Sequence, residues 1–515
     1  MFKSRRLLML ACTLLALWPV QLAAQQSGEA SQPEQRRQVR AVYMNPVFRG
    51  DYPDPTIVRV GDDYYMTHSS FDYQPGLIVY HSTDLINWEP LGPALQKYLG
   101  SVWAPDISYY DGKYYIYFTV ATDKGKTNYV TWAVSPSGPW SAPVDLKIGN
   151  IDPCHVVGED GVRWLFLSGG RRVRLTEDGL AVVPETMELV YLGWIFPKEW
   201  KTEGLCLEGP KIRRIGDYYY YLNAEGGTAG PPTSHMVVVA RSKSLDGPWE
   251  NSPYNPMVHT YDAADRWWSK GHGSLIDTKD GRWYIVYHAY ENGYLTLGRQ
   301  TLLEPVMITS DEWLRTSPDT RLDGYINTPL RPSSMGDPKD RLGEFRIGYE
   351  WKHYKSYESR RSKVKKGNLV MKAKGDSPGN SSPLLFVAGD HSYEIEAEIE
   401  LSGDKVTAGL VLFYNAGFYM GTGFDSSHRY RFRKAASSRT GASMGRHLWL
   451  RLRNENQIVT GEFSFDGVHW ERESWGMDIS GYHHNTLYEF QSVLPGIFVS
   501  GKGSATISNF KYRRL

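Results

Sequence analysis

Four residues stand out for what their side chains could do together: Asp54 in Tyr52-Pro53-Asp54-Pro55, Asp152 in Ile151-Asp152-Pro153, Glu208 in Glu208-Gly209-Pro210 and His272 in Gly271-His272-Gly273. Each falls about seven or eight residues before a short turn followed by aromatic strand sequence. A fifth stretch, Trp103-Ala104-Pro105-Asp106, occupies the same position before another such turn. Any one acid before Pro or Gly is also what begins a strand or caps a turn. Three at matching positions of a repeat are a different matter. Convergent carboxylates repel one another, so their pKa values must be driven apart. One carboxyl kept protonated and one kept ionised is the arrangement glycoside hydrolysis uses, the first assisting departure and the second activating water.

The turns that index these residues are the main architectural signal. They are Gly61-Asp62-Asp63, Asp111-Gly112-Lys113, Asp160-Gly161-Val162, Gly216-Asp217-Tyr218 and Asp280-Gly281-Arg282, each leading into Tyr or Trp. Gly and Asp tolerate positive φ, so such turns predict hairpins. Their spacing of about 49 to 64 residues is that of a four-stranded propeller blade. Trp-bearing turns recur later in the units, at Asn87-Trp88, Pro139-Trp140 and Pro248-Trp249. Long amphipathic helical patterns are nearly absent. Residues 41–328 are therefore expected to form a five-bladed β-propeller, with two stacked β-sandwiches as the alternative architecture. In a propeller the innermost strands line the central channel, which brings Asp54, Asp152, Glu208 and His272 to one mouth.

A polar, proline-bearing stretch over residues 329–342 breaks the repeat and reads as a linker. Beyond it, Tyr393–Ile399 and Leu448–Arg453 alternate apolar and polar residues with period two, so residues 343–515 are expected to form an accessory β-sandwich of the jelly-roll type. The whole is an all-β chain.

Lys and Arg number 58 against 57 Asp and Glu, a net charge of +1 over 515 residues, which denies the chain the basic footprint of a nucleic-acid-binding protein. One apolar run approaches membrane length, and it lies at the start. Lys3, Arg5 and Arg6 precede an apolar Leu7–Trp18, and Leu22-Ala23-Ala24 supplies a small-residue exit, so residues 1–24 read as a secretory signal and residues 25–40 as an N-terminal linker. The expected destination is the periplasm or the extracellular space, with no membrane span. Cys154 and Cys206 remain after cleavage and read as packing residues rather than a staple, although period two places each on the face of its neighbouring acid.

The run Tyr52-Pro53-Asp54-Pro55-Thr56-Ile57-Val58-Arg59-Val60-Gly61-Asp62-Asp63-Tyr64-Tyr65 resembles the opening blade of glycoside hydrolase family 43. Trp103–Asp106, Ile151–Pro153, Glu208–Pro210, Gly271–Leu275 and Gly298–Thr301 match that family in order. The resemblance covers residues 41–305. More loosely, the C-terminal part resembles the concanavalin-like sandwich of family β-xylosidases. The family resemblance implies an inverting, exo- or endo-acting hydrolase of arabinose- or xylose-containing glycans, in its exo form releasing terminal pentose, arabinofuranose or xylose, from a plant-type cell-wall glycan or oligosaccharide. Asp54 would be its general base, Glu208 its general acid, and Asp152 the residue that orients Glu208 and raises its pKa. Arg299 would contact the sugar, with Phe71 and Trp103 as walls of the subsite. The histidine matching His272 would face a central structural calcium, or another cation, through water; no cofactor is required for the chemistry. Cys154 and His155 depart from the family pattern.

Two other readings compete. A retaining fructoside hydrolase on the same scaffold would open on Trp-Met-Asn-Asp-Pro-Asn-Gly, which this chain lacks. A non-catalytic carbohydrate-binding propeller would show the loss of an acid, and all three are present.

Overall fold

A computed structural model describes residues 42–317, 325–327, 345 and 347–515. The leader, the 25–40 stretch and the 329–342 linker lie outside the described residues. Among those described, no helix is long and apolar enough to cross a membrane.

Five antiparallel sheets follow one another in chain order, four of four strands and one of five. Their innermost strands are Thr56–Val60, Ser101–Tyr110, Cys154–Val157, Glu208–Ile215 and Trp267–Asp277. Each pairs with the next strand through the turn anticipated from sequence, as in Tyr110↔Lys113 and Ile215↔Tyr218. At the second, Asp111 and Gly112 both take left-handed φ (48° and 72°), the geometry whose twist matches a two-residue hairpin. The expected all-β five-bladed propeller is the fold found.

The core is divided among the gaps between blades. Tyr65 and Leu77 meet Val102 and Ile116 between blades one and two; Phe166 and Cys154 meet Ile212 and Tyr221 between three and four. Blade five closes on blade one through Tyr284 and Val286 against Ile57 and Met66. The ring is latched where residues 45–52 run along blade five: Asn45 exchanges two hydrogen bonds with the Leu303 backbone, and the Val47 and Tyr52 amides donate to Thr301 and Arg299.

The C-terminal part consists of an eight-stranded and a seven-stranded antiparallel sheet enclosing a common core of Ile395, Leu410, Leu450 and Ile497. It does not stand apart. The last strand of the eight-stranded sheet is Tyr73–Gln74, an excursion from blade one that pairs with Trp351–Tyr354. The outer face of that sheet packs Val411, Phe413, Phe432 and Phe498 around Tyr73.

Candidate active site

The innermost strands bring the acids to one mouth by breaking their own regularity. Asp54, Asp152 and His272 all have left-handed φ (55°, 59° and 53°), and the pairing register shifts between Glu208 and Lys211 and again around Gly271. Bulged strand ends re-aim side chains at a cost in backbone strain, a pattern concentrated at functional sites. Three of these side chains therefore leave the strand alternation and turn into the channel.

His272 stands at the centre. Its Nδ1 lies 3.4 Å from Asp54 Oδ1, and its Nε2 lies 3.6 Å from both Asp152 Oδ2 and Glu208 Oε1. Burial alone would suppress its charge, but the Asp54, Glu208 and Asp152 carboxylates overcome that and pull its pKa up to about 9. Asp54 is almost wholly buried. Arg299 Nη1 lies 2.9 Å from its Oδ1, Ser69 Oγ donates to Oδ2 at 2.5 Å, and its backbone N–H is accepted by His288 Nδ1. Burial favours its neutral form, yet Arg299 and His272 override burial and hold it well below the usual carboxylate range. Asp152 goes the other way. Burial, with Glu208 and Asp54 nearby, pushes it up to about 7 against the opposing pull of His272 and a hydrogen bond from the Gly209 amide. The carboxyls are thus driven apart within one cavity. Glu208 retains 22% side-chain exposure, the most open of the three acids.

Arg299 is buried and runs across the rings of Phe71 and Phe490, 5.3 Å from each centroid. Phe71 stacks on Phe490 at 5.9 Å, Trp103 meets Phe490 edge-on at 5.5 Å, and Lys126 Nζ lies over the Trp103 ring, 4.4 Å from its centroid. All seven residues singled out in the sequence therefore gather at the same mouth.

Several neighbours were not anticipated. Ser69 and His288 support Asp54. His288, its pKa depressed to about 3 by burial and by Arg299, is neutral and accepts at Nδ1. The sequence signal for it is a lone histidine within the mostly apolar strand Trp283–Glu291. Phe490 comes from the sandwich, where it stacks on His484 at 4.1 Å; no sequence pattern marks it.

The cysteines correct one expectation. Both are free thiols. Cys154 does not share a face with Asp152, because the left-handed turn at Asp152 precedes the strand and Cys154 points into the core between blades three and four. Cys206 is itself left-handed (φ 43°), so period two does not reach Glu208. His155, the other oddity, is buried between Ser108 Oγ and Arg163 Nε, 3.0 Å from each, and stacks on Tyr117.

Glu208, His235 and His272 offer donor atoms within 4.8 Å of one another, and neither ring nitrogen of buried His235 has a hydrogen-bond partner among the described residues. As direct ligands, two imidazoles and one carboxylate do not suit calcium, which takes six to eight oxygens.

Residues 43–314 match the profile of Glycosyl hydrolases family 43. The chain is 36% identical over 333 residues to the non-reducing end α-L-arabinofuranosidase BoGH43B of Bacteroides ovatus, covering 60% of each protein. It is 34% identical to a xylan 1,3-β-xylosidase of a Vibrio species, over 52% of this chain and 56% of that one. The matches thus span little more than half the length of these two relatives. A xylosidase/arabinosidase of Butyrivibrio fibrisolvens is 31% identical over 72% of this chain and 77% of its own. Among solved structures, a family 43 protein of Bacillus licheniformis superposes with a TM-score of 0.82 at 27% identity, covering 92% of this chain and all of that one.

Proposed function

Because the chain belongs to glycosyl hydrolases family 43, we propose that it is an inverting exo-glycosidase releasing terminal arabinofuranose or xylose from a plant-type glycan. Asp54 is the general base, held ionised by Arg299 so that it can take a proton from water. Glu208 is the general acid that protonates the departing oxygen, and its partial exposure suits a group that must reach a leaving chain. Asp152, beside it and accepting the Gly209 amide, orients it.

The observation that carries this reading is the single imidazole spanning the two carboxyls, 3.4 Å from Asp54 and 3.6 Å from Glu208. A spacing of one imidazole plus two contacts suits the separation of about 6.5–9.5 Å that leaves room for a water on the far face of the sugar, where a retaining pair stands closer. Exo-action is supported by Phe490, which walls the pocket from the sandwich side. The relatives' names cover both arabinofuranosides and xylosides, and the chemistry above serves either.

The test is hydrolysis of paired chromogenic α-L-arabinofuranoside and β-D-xyloside by wild type and Glu208→Ala. Release from one substrate, falling by about 10²–10⁴ in the variant for poor leaving groups and recovering with activated ones, is the expected result. Release from neither, with oligosaccharide binding intact, would make this a carbohydrate-binding propeller.

A further inference from the structure

The hairpin that delivers Arg299 is held from outside the propeller. Residues 291–298 connect the strands Trp283–Glu291 and Arg299–Ile308; Asn292 bonds Ala263 and Asp265 of blade five, while Glu291, Gly293, Tyr294 and Thr296 are engaged by the sandwich. Gln457 makes two contacts, donating from Nε2 to Gly293 O at 2.7 Å and accepting at Oε1 from Thr296 Oγ1 at 3.1 Å. Asn456 accepts from the Tyr294 hydroxyl at 3.0 Å. These two residues form the turn between the sandwich strands His447–Glu455 and Ile458–Ser464, and both are left-handed (φ 48° and 71°). A two-residue turn of that kind is rigid and sets its side chains in fixed directions.

His391 adds a second grip. Its ring lies flat on Tyr294, with centroids 3.6 Å apart and planes 3° from parallel, while its Nε2 lies 2.9 Å from Glu291 Oε2. The same Glu291 oxygen accepts from Gln300, the residue after Arg299. The Val493 amide donates to Thr296 O at 2.9 Å. Immediately beyond the hairpin, the Arg299 amide donates to Asp51 Oδ1 at 3.1 Å. Arg299 then reaches Asp54.

The geometry points to the sandwich as a positioning element for Arg299: Gln457 and His391 fix the 291–298 hairpin, and the hairpin fixes the guanidinium against Asp54. Neither residue touches the pocket, so each acts through the arginine. The catalytic meaning of this clamp rests on the hydrolase reading above, but the clamp itself can be read without turnover.

The experiment uses the full-length chain with Gln457→Ala, His391→Ala and the double substitution, alongside Arg299→Lys. Both clamp residues are at the rim of the interface and partly exposed, so the variants keep the fold. Amide hydrogen exchange of the segment 291–301 is expected to accelerate on the order of tenfold in the double variant while the other blades exchange as before. On an aryl pentoside, kcat/KM is expected to fall on the order of tenfold or more, since small misplacements of a positioned group cost that much. Its acidic limb should move to higher pH, as in Arg299→Lys, because a loosened guanidinium no longer holds Asp54 ionised. His391→Phe, which retains the ring on Tyr294, should recover most of the lost protection. Unchanged exchange at 291–301, or acceleration spread over the whole propeller, would overturn the clamp. An activity loss without movement of the acidic limb would overturn its link to Asp54. If wild type cleaves no pentoside, the hydrolase reading fails and the exchange result alone decides the clamp.

Discussion

Arg299 Nη1 and Asp54 Oδ1 lie 2.9 Å apart, with both side chains about 95% buried. A pair this dry is costly to break from one side, because the remaining charge loses its partner without gaining water. Arg299→Ala should therefore lower kcat by about 10²–10³, the usual loss when one preorganised donor is removed from an active site. The acidic limb of the pH–rate profile should rise as well, since Asp54 reverts toward an ordinary carboxyl. Both follow from one set of rate measurements between pH 4 and 8.

Asp152 makes the opposite prediction for stability. Its carboxyl ionises freely in the unfolded chain at an ordinary pKa near 4, whereas in the fold it keeps its proton up to about 7. Ionised Asp152 therefore opposes folding: the penalty is absent below about pH 4 and complete above about pH 7. Asp152→Asn removes it. Thermal melts at pH 8 should show the variant melting a few degrees higher than wild type, at roughly 2–4 °C per kcal/mol for large domains. Its turnover should drop, because Glu208 loses its orienting carboxylate.

His272 titrates with the other sign. Its pKa rises from 6.5 in the unfolded chain to about 9 in the fold, so its ion pairs contribute fully below pH 6.5 and are lost as pH climbs through 9. Wild-type Tm should fall across that window, and His272→Gln should flatten the fall. An equally steep loss in the variant would mean that another group drives it.

Phe490 supplies a test of the pocket's depth. Phe490→Ala removes the ring stacked on Phe71 and crossed by Arg299. KM for aryl pentosides should rise roughly two- to tenfold, the value of an aromatic contact. Products longer than one sugar should appear from linear oligosaccharides. Product sizing by chromatography reads the second effect directly.

Much of this site was legible in the sequence because a propeller converts equal positions in a repeat into convergence in space. Asp54, Asp152, Glu208 and His272 were indexed by turns that formed where Gly61, Gly112, Gly161, Gly216 and Gly281 predicted. What escaped falls into two kinds. His288 sits on the second strand of blade five and Ser69 just past the second strand of blade one, where an isolated polar residue looks like blade packing until its partner is known. Phe490, Gln457 and His391 belong to a different sheet system, and nothing local in their surroundings records that they will meet blades one and five. The cysteines failed for a third reason: period two assumes an unbroken strand, and left-handed residues at Asp152 and Cys206 break it.

The pairing of Tyr73–Gln74 with Trp351–Tyr354 also governs when this protein can finish folding. Blade one is made early in synthesis, yet its excursion has no hydrogen-bonding edge to join until the first sandwich strand has been made, and Tyr73 is not enclosed until Leu494 and Phe498 arrive near the end of the chain. A ribosome-bound chain therefore carries this excursion of blade one unpaired through nearly the whole of translation. Contacts of such long sequence separation are slow to form. The excursion is enclosed only once Leu494 and Phe498 have emerged, so a gene fragment encoding the propeller alone leaves Tyr73–Gln74 without its partner strand, and one encoding the sandwich alone lacks the end strand of its eight-stranded sheet.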